Sequence, residues 1–160
     1  MKKLAIAGCG LAGLSVARHL LQLGPIEITL FDPGGIGGGA SGVSTGLLHP
    51  FPGKMALRSW RSDEGMEATK DLVRKVEEEC AKAVCQRSGI LRLALSQEQE
   101  HNFQKCLPFG CEWWPIEKVF EQMPEAAIAP ALWIPEGMTI YSMPYLEGLF
   151  HLCEKKGAFL

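Results

Sequence analysis

Apolar positions recur along the chain with two different periods. Leu4 to Ala7 is a short unbroken apolar run leading into glycines, the pattern of a central parallel strand buried on both faces. From Leu11 to Leu23 the apolar positions Leu14, Ala17, Leu20 and Leu21 return at helical spacing, and Gly24-Pro25 stops them. Ile26 to Phe31 alternates as a strand and is ended by Asp32-Pro33-Gly34-Gly35. Strand, glycine turn, helix and strand together predict one βαβ unit.

The pattern then changes. A long amphipathic helix is expected from about Ala56 to Cys85, with Leu57, Trp60, Ala68, Leu72, Val76 and Cys80 as its core stripe. Gly89 to Leu95 reads as a strand, Gln97 to Cys106 as a short helix, and Trp114-Pro115 to Met123-Pro124 as a helix bounded by prolines. Ala131 to Tyr141 is extended around a Pro135-Glu136-Gly137 turn. Pro144 to Lys155 is a last helix, with Leu146, Leu149, Phe150 and Cys153 on one side and Gly157 as its stop. Ala158 to Leu160 resembles the opening of a strand.

Composition narrows the class. With 160 residues, 47% of them hydrophobic, the chain can build one core, or one domain and part of another. A formal charge of −2 and a pI near 6.1 supply no basic field for nucleic acid or anionic lipid. Lys54, Arg58 and Arg61 read as a solvated helix face. The six cysteines never form C-x-x-C and the four histidines are scattered, so neither zinc nor a disulfide scaffold is indicated, and reduced thiols in a cytoplasmic protein are expected. Met1 to Cys9 mimics a lipoprotein signal, but its five apolar residues fall short of the roughly seven to fifteen of a signal core. No stretch approaches the roughly twenty apolar residues that span a bilayer.

The candidate chemistry lies in the first thirty-two residues. Gly8-Cys9-Gly10-Leu11-Ala12-Gly13 follows a strand and opens a helix, and Asp32 stands nineteen residues beyond Gly13 at the end of the next strand. Gly8 permits the tight turn, Gly10 lets the backbone approach phosphate, where a side chain would take the ligand's place, and Gly13 lets helix and strand pack closely. The open N–H groups and dipole of the helix suit a pyrophosphate. Asp32 can accept from adenosine ribose hydroxyls and would repel a 2′-phosphate, so NADP is disfavoured while FAD and NAD both remain open. Residues 34–46 then hold seven glycines, a composition that suits a flexible linker, although their position after the acid favours a loop whose backbone approaches a ligand.

Gly38-Gly39-Ala40-Ser41-Gly42-Val43-Ser44-Thr45-Gly46-Leu47-Leu48-His49-Pro50 resembles the second fingerprint of the D-amino-acid-oxidase-like flavoprotein family. That family includes glycine and sarcosine oxidases and the oxidase half of the bifunctional enzyme that modifies the wobble uridine of tRNA. The resemblance is specific over residues 4–50. It is diffuse later, where Gly89 to Leu93 and Pro135 to Gly137 match the family's Gly-Ile-Leu-Arg-Leu strand and Pro-Glu-Gly turn.

The resemblance implies an α/β fold: a Rossmann-like FAD-binding βαβ unit of the GR2 type with part of an α+β substrate domain. Residues 1–50 would carry the FAD unit and second FAD loop, 51–156 the long helix and partial substrate domain, and 157–160 a strand returning to the FAD sheet. FAD is the implied cofactor. Gly8, Gly10, Leu11, Ala12 and Gly13 would face its pyrophosphate, with Asp32 on the ribose. Ala40 and Ser41 would donate to the pyrophosphate side, and Gly46 and Leu47 would run beside the isoalloxazine ring. His49, where the tRNA-modifying relative has an aromatic residue, would line the cavity, attach flavin covalently, or simply pack. The implied reaction moves hydride from a C–N centre of an amine or amino acid to flavin N5.

No catalytic residue is assigned, because in the family the arginine that binds the substrate carboxylate lies later in the chain. The length points to an amino-terminal fragment, possible partner of a separate carboxy-terminal chain. Two alternatives stand beside the oxidoreductase: a non-catalytic nucleotide-binding fragment that needs a complementing chain, and an NAD-dependent Rossmann enzyme.

Overall fold

The structure is a computed structural model that describes residues 2–125 and 129–160. Its element order is β1 (Lys2–Ala7), α1 (Leu11–Leu20), β2 (Ile26–Phe31), β3 (Leu47–Leu48), α2 (Ser62–Cys80), β4 (Cys85–Gln86), β5 (Ile90–Leu93), α3 (Gln97–Gln104), β6 (Glu112–Trp114), α4 (Ile116–Gln122), β7 (Ala131–Ile134), β8 (Met138–Ile140), α5 (Ser142–Glu154) and β9 (Ala158–Phe159). A short 3-10 helix, Leu107–Phe109, follows α3. The chain divides into a first unit, residues 1–46, 69–86 and 140–160, and a second, residues 47–68 and 87–139.

In the first unit β1, β2 and β9 form a parallel sheet in the order β1-β2-β9, with Leu4 opposite Ile28, Ile6 opposite Leu30, and Ile28 opposite Ala158. The predicted βαβ unit is therefore present, and the closing residues do form a strand. Helix α1 packs on α5 through Leu14, Ala17, Leu146, Leu149 and Cys153, all buried. Gly148 explains how close α5 comes to α2, since a Cβ there would lie 2.4 Å from Val76 Cγ1. Among the buried residues is a cation, Arg18, whose Nε and Nη1 have no hydrogen-bond partner. Helical periodicity assigns such a position to the core face without regard to its charge.

Strand β1 departs from expectation. A central parallel strand would be covered on both sides, yet Lys2, Lys3, Leu4, Ala5 and Ala7 are all exposed. The reason is topological. Among the described residues β1 pairs with β2 alone and ends the sheet.

The second unit is built on an antiparallel sheet in the order β5-β7-β6, with Leu91 and Glu112 both facing Trp133 on opposite sides of the middle strand. Strand β6 was not evident from periodicity, because the Trp113-Trp114 pair falls against Pro115 and lacks a long alternation. Phe51, Ala56, Ile90, Ala94, Phe103, Cys106, Cys111, Leu132 and Ile134 form the core, and Trp114 stacks on Trp133 at 4.8 Å. Strand β3 pairs with β8, Leu47 opposite Thr139.

The long helix is shorter than its periodicity suggests. Residues 56–61 are not helical: Ala56 (φ 50°) and Arg61 (φ 51°) are left-handed, and Ala81 (φ 48°) ends α2. Leu57 and Trp60 are accordingly not core but 70% and 87% exposed, and the buried stripe runs through Met66, Leu72, Val73 and Val76. Lys54, Arg58 and Arg61 also lie in this loop instead of on a helix face, paired with Glu98, Asp63 and Glu64 respectively. All six cysteines are free and only Cys80 is exposed; burial pushes the thiols of Cys111 and Cys153 up to about 11. Among the described residues no helix is long and apolar enough to cross a membrane.

Candidate functional site

The turn between β1 and α1 is tied to the end of β2 by two hydrogen bonds, and a third fixes the carboxylate that makes one of them. The Gly8 N–H donates to the Phe31 carbonyl at 2.8 Å, which continues the sheet into the turn. The Cys9 N–H donates to Asp32 Oδ2 at 2.8 Å and the Gly34 N–H to Asp32 Oδ1 at 2.9 Å, so the carboxylate points at the glycine turn. Those two backbone donors, Cys9 first, hold the Asp32 carboxyl below its ordinary value despite opposition from burial. The Asp32 side chain is thus an acceptor-only group at neutral pH, with lone pairs left on both oxygens.

Gly8 needs its glycine for conformation, with φ at +103° and nothing within 4 Å of the position a Cβ would take. Gly13 needs it for space, because a Cβ would stand 1.9 Å from the Gly8 carbonyl oxygen and 3.4 Å from Ile6 Cγ2. Gly10 is constrained by a neighbour that its motif does not name. A Cβ there would lie 2.5 Å from Ser41 Oγ, so the close approach is made by the second loop.

Helix α1 opens on Gly10 with no side-chain cap of its own and no acidic residue in its first turn. Its first intrahelical bond runs from the Leu14 N–H to the Gly10 carbonyl, so the N–H groups of Leu11, Ala12 and Gly13 precede the helical ladder. Ser41 Oγ accepts from the Leu11 N–H at 3.1 Å, thirty residues away in sequence. Its own O–H proton is left to donate at the mouth of the helix.

Residues 34–46 form a packed loop and not an extended linker. The Gly37 N–H donates to the Cys9 carbonyl at 3.0 Å, fastening the loop to the first turn. A Cβ at Gly38 would lie 2.4 Å from the Gly34 carbonyl oxygen, and one at Gly42 would lie 2.0 Å from that of Gly37. Ala40 is exposed near the crest of the loop. Gly46 (φ +70°) is held elsewhere: its carbonyl accepts from the Ile140 N–H at 2.8 Å, and a Cβ would meet Ile140 O at 1.9 Å.

Of the expected site residues, hydrogen bonds and close packing join Gly8, Gly10, Leu11, Gly13, Asp32 and Ser41, and Ala12 follows in the first turn of α1. Gly46 is attached to the start of α5 by way of Ile140. Leu47 belongs to the second unit, half exposed in β3.

His49, also in the second unit, is half-buried and accepts the Phe51 N–H on Nδ1 at 3.2 Å, leaving the proton of its neutral form on Nε2. Burial first and the Arg92 cation second hold its pKa below the ordinary value. Arg92, which periodicity marks only as one position of a strand, donates to the carbonyls of Phe51 and Gly53 and lies 4.8 Å over the Phe103 ring. The second unit also holds a cavity of about 100 Å³ bordered by Phe51, Arg58, Asp63, Phe109, Cys111 and Glu136, none of them among the expected site residues.

Comparison with known proteins agrees with this architecture. The chain matches 99% of its own length to glycine oxidase from Geobacillus kaustophilus (TM-score 0.79, 18% identity, 46% of that chain) and to glycine oxidase from Bacillus cereus ATCC 14579 (TM-score 0.80, 19% identity, 45% of that chain). L-proline dehydrogenase from P. horikoshii is similar over 99% of this chain and 43% of its own, with TM-score 0.76 and 19% identity. At these identities the likeness concerns the fold, and the chain spans less than half the length of each. None of the curated proteins matches the sequence. The model of the FAD dependent oxidoreductase family matches residues 3–160, so this chain belongs to that family, whose cofactor is FAD.

Proposed function

We propose that residues 1–46 hold the ADP half of FAD in an amine- or amino-acid-oxidising flavoprotein. One observation carries the reading: Asp32 is clipped to the Cys9 N–H, which places a carboxylate beside a glycine turn and a helix start whose own N-cap residue, Gly10, supplies no side-chain acceptor. A pyrophosphate is the ligand such a helix start favours, and the carboxylate suits a ribose diol.

In this reading Gly8, Gly10, Leu11, Ala12 and Gly13 surround the pyrophosphate. The Ala12 and Gly13 amides donate directly, and Ser41 relays for Leu11 through its hydroxyl proton. Ala40 adds a backbone donor from the loop. Gly46 and Leu47 serve the flavin ring, where the missing side chain at Gly46 removes bulk. When bound, FAD supplies the acceptor for hydride leaving a C–N centre.

The family and the names of the similar structures support a small amine or amino acid as substrate. Because those structures are more than twice as long as this chain, turnover is proposed to need further polypeptide. Six unpaired thiols favour a reducing, cytoplasmic setting.

The test is equilibrium dialysis of the 160-residue chain against FAD, with NAD as competitor. FAD should be retained, NAD should not displace it, and Asp32→Ala should weaken retention by about tenfold or more. Displacement by NAD, or equal retention by the variant, would overturn the assignment.

A further inference from the structure

The neck of the glycine loop rests on a side chain with no part in the dinucleotide site. Gly37 and Gly42 close on one another there, and the crest between them carries Ser41, whose hydroxyl oxygen accepts the Leu11 N–H. Beneath the neck lies the first turn of α5. A Cβ at Gly37 would stand 2.7 Å from Met143 Sδ and 3.0 Å from Leu146 Cδ1, and one at Gly42 would stand 3.0 Å from the same sulfur. Ser142, one residue earlier, donates from Oγ to the Ser44 carbonyl at 3.1 Å. One thioether thus lies against both sides of the neck, and the start of α5 is the seat of the loop.

Exposure distinguishes this methionine from others in the chain. Met66 and Met138 are buried, at 6% and 5%, as is Leu146 beside the same neck. Met143 is only partly buried, within reach of a small oxidant.

A thioether is soft and polarisable and packs against backbone as an apolar group. Its sulfoxide is polar and chiral, larger by one oxygen, and seeks a hydrogen-bond donor. The amides of the neck are already committed, since the Gly37 N–H bonds the Cys9 carbonyl at 3.0 Å and the Gly42 N–H bonds the Gly39 carbonyl at 3.2 Å. The first of those bonds is also what fastens the loop to the turn before α1.

We propose that Met143 is an oxidation site, and that its conversion to the sulfoxide by hydrogen peroxide unseats residues 37–42 from the start of α1. A sulfur lone pair attacks one peroxide oxygen and the O–O bond breaks. That oxygen stays on sulfur, and both protons of the peroxide leave on the other oxygen as water. Sulfur gives up two electrons and the peroxide takes them. The new oxygen competes for the Gly37 and Gly42 amides and widens the neck, so Ser41 withdraws from the Leu11 N–H and a dinucleotide loses the donor that Ser41 relays. Only this last loss rests on the reading of residues 1–46 as an FAD site; the unseating of the loop does not.

The test treats the 160-residue chain with hydrogen peroxide and locates the added oxygen by peptide mass spectrometry. Met143 should be oxidised along with Met123, which is 49% exposed, and ahead of Met66 and Met138. Amide exchange at Gly37 and Leu11 should then quicken by about tenfold or more. FAD retention in dialysis should fall by about tenfold. Methionine sulfoxide reductase should reverse both changes. Met143→Leu keeps the apolar volume, has no sulfur at this position and retains Met123 and Cys80, so its exchange rates and FAD retention should be the same before and after peroxide. Protection of Met143 while Met123 reacts, oxidised Met143 with unchanged exchange at Gly37 and Leu11, or an equal peroxide effect in Met143→Leu would each overturn the proposal. An untreated chain that fails to retain FAD would instead refute the FAD reading, and the exchange rates would still decide the oxidation site.

Discussion

Residues 34–46 and residues 50–61 are both irregular, but they reach their conformations by different means. In the first stretch the left-handed positions, Gly35, Gly37 and Gly46, are all glycines, and neighbouring backbone leaves no room for a Cβ at Gly38, Gly42 or Gly46. In the second stretch Gly53 is joined by Ala56 and Arg61, which carry side chains at positive φ. There the backbone is held from outside by Arg92 on the carbonyls of Phe51 and Gly53, and from within by the Ser59 N–H on the Pro50 carbonyl at 2.9 Å. The contrast teaches that a glycine-rich composition marks close backbone packing in one loop, while in the other one half-buried cation does comparable work with ordinary residues.

The largest effect should follow from violating the first arrangement. Gly46→Ala combines a strained φ with a Cβ on the Ile140 carbonyl and should cost about 3 kcal/mol in urea unfolding. A loss below about 1 kcal/mol would mean that packing does not select that glycine. Arg92→Met attacks the second arrangement, keeps much of the stem volume and leaves two carbonyls without their cation. It should cost about 2 kcal/mol, and an unchanged urea midpoint would remove Arg92 as the loop's fastener.

Acid should separate the two regions in sequence. For His49 the folded pKa lies below the ordinary 6.5, so the unfolded chain binds the proton more readily. Its contribution is complete above pH 6.5 and is lost as pH falls through the folded value. For Asp32 the folded pKa lies below the ordinary 3.8, so its contribution persists until pH falls below that and through the folded value. Urea midpoints measured against pH should therefore decline first through the second unit, and His49→Gln should flatten only that earlier decline. Were Asp32→Asn to flatten the same limb, the order would be refuted.

The smallest effect concerns Arg61. Replacing it by glycine relieves about 1–2 kcal/mol of left-handed strain. Added chain entropy and the lost pair with Glu64 offset most of that, so the net change should be a gain under about 1 kcal/mol. A fall in melting temperature would show that the turn depends on the arginine side chain.

Local patterns made much of the first unit legible. Strand, glycine turn, helix and strand occupy residues 2–31 in unbroken order, and both α5 and the closing strand lie near their predicted ranges. What escaped depended on partners distant in sequence. The start of α2 was misplaced because left-handed Ala56 and Arg61 are not residue types that announce a break. Strand β6 exists through its pairing with β7, and the exposure of β1 through the lack of a second neighbour, neither of which periodicity contains. At the candidate site the spacing of Gly8, Gly10, Gly13 and Asp32 was visible. The role of Ser41 in crowding Gly10 was not, because it joins residues thirty positions apart.

The distribution of sulfur has a practical consequence. Five thiols are enclosed and Cys80 alone faces outward, at the end of α2. An alkylating dye applied to the folded chain should therefore mark one position, giving a single built-in handle for fluorescence reporting without removal of any native cysteine.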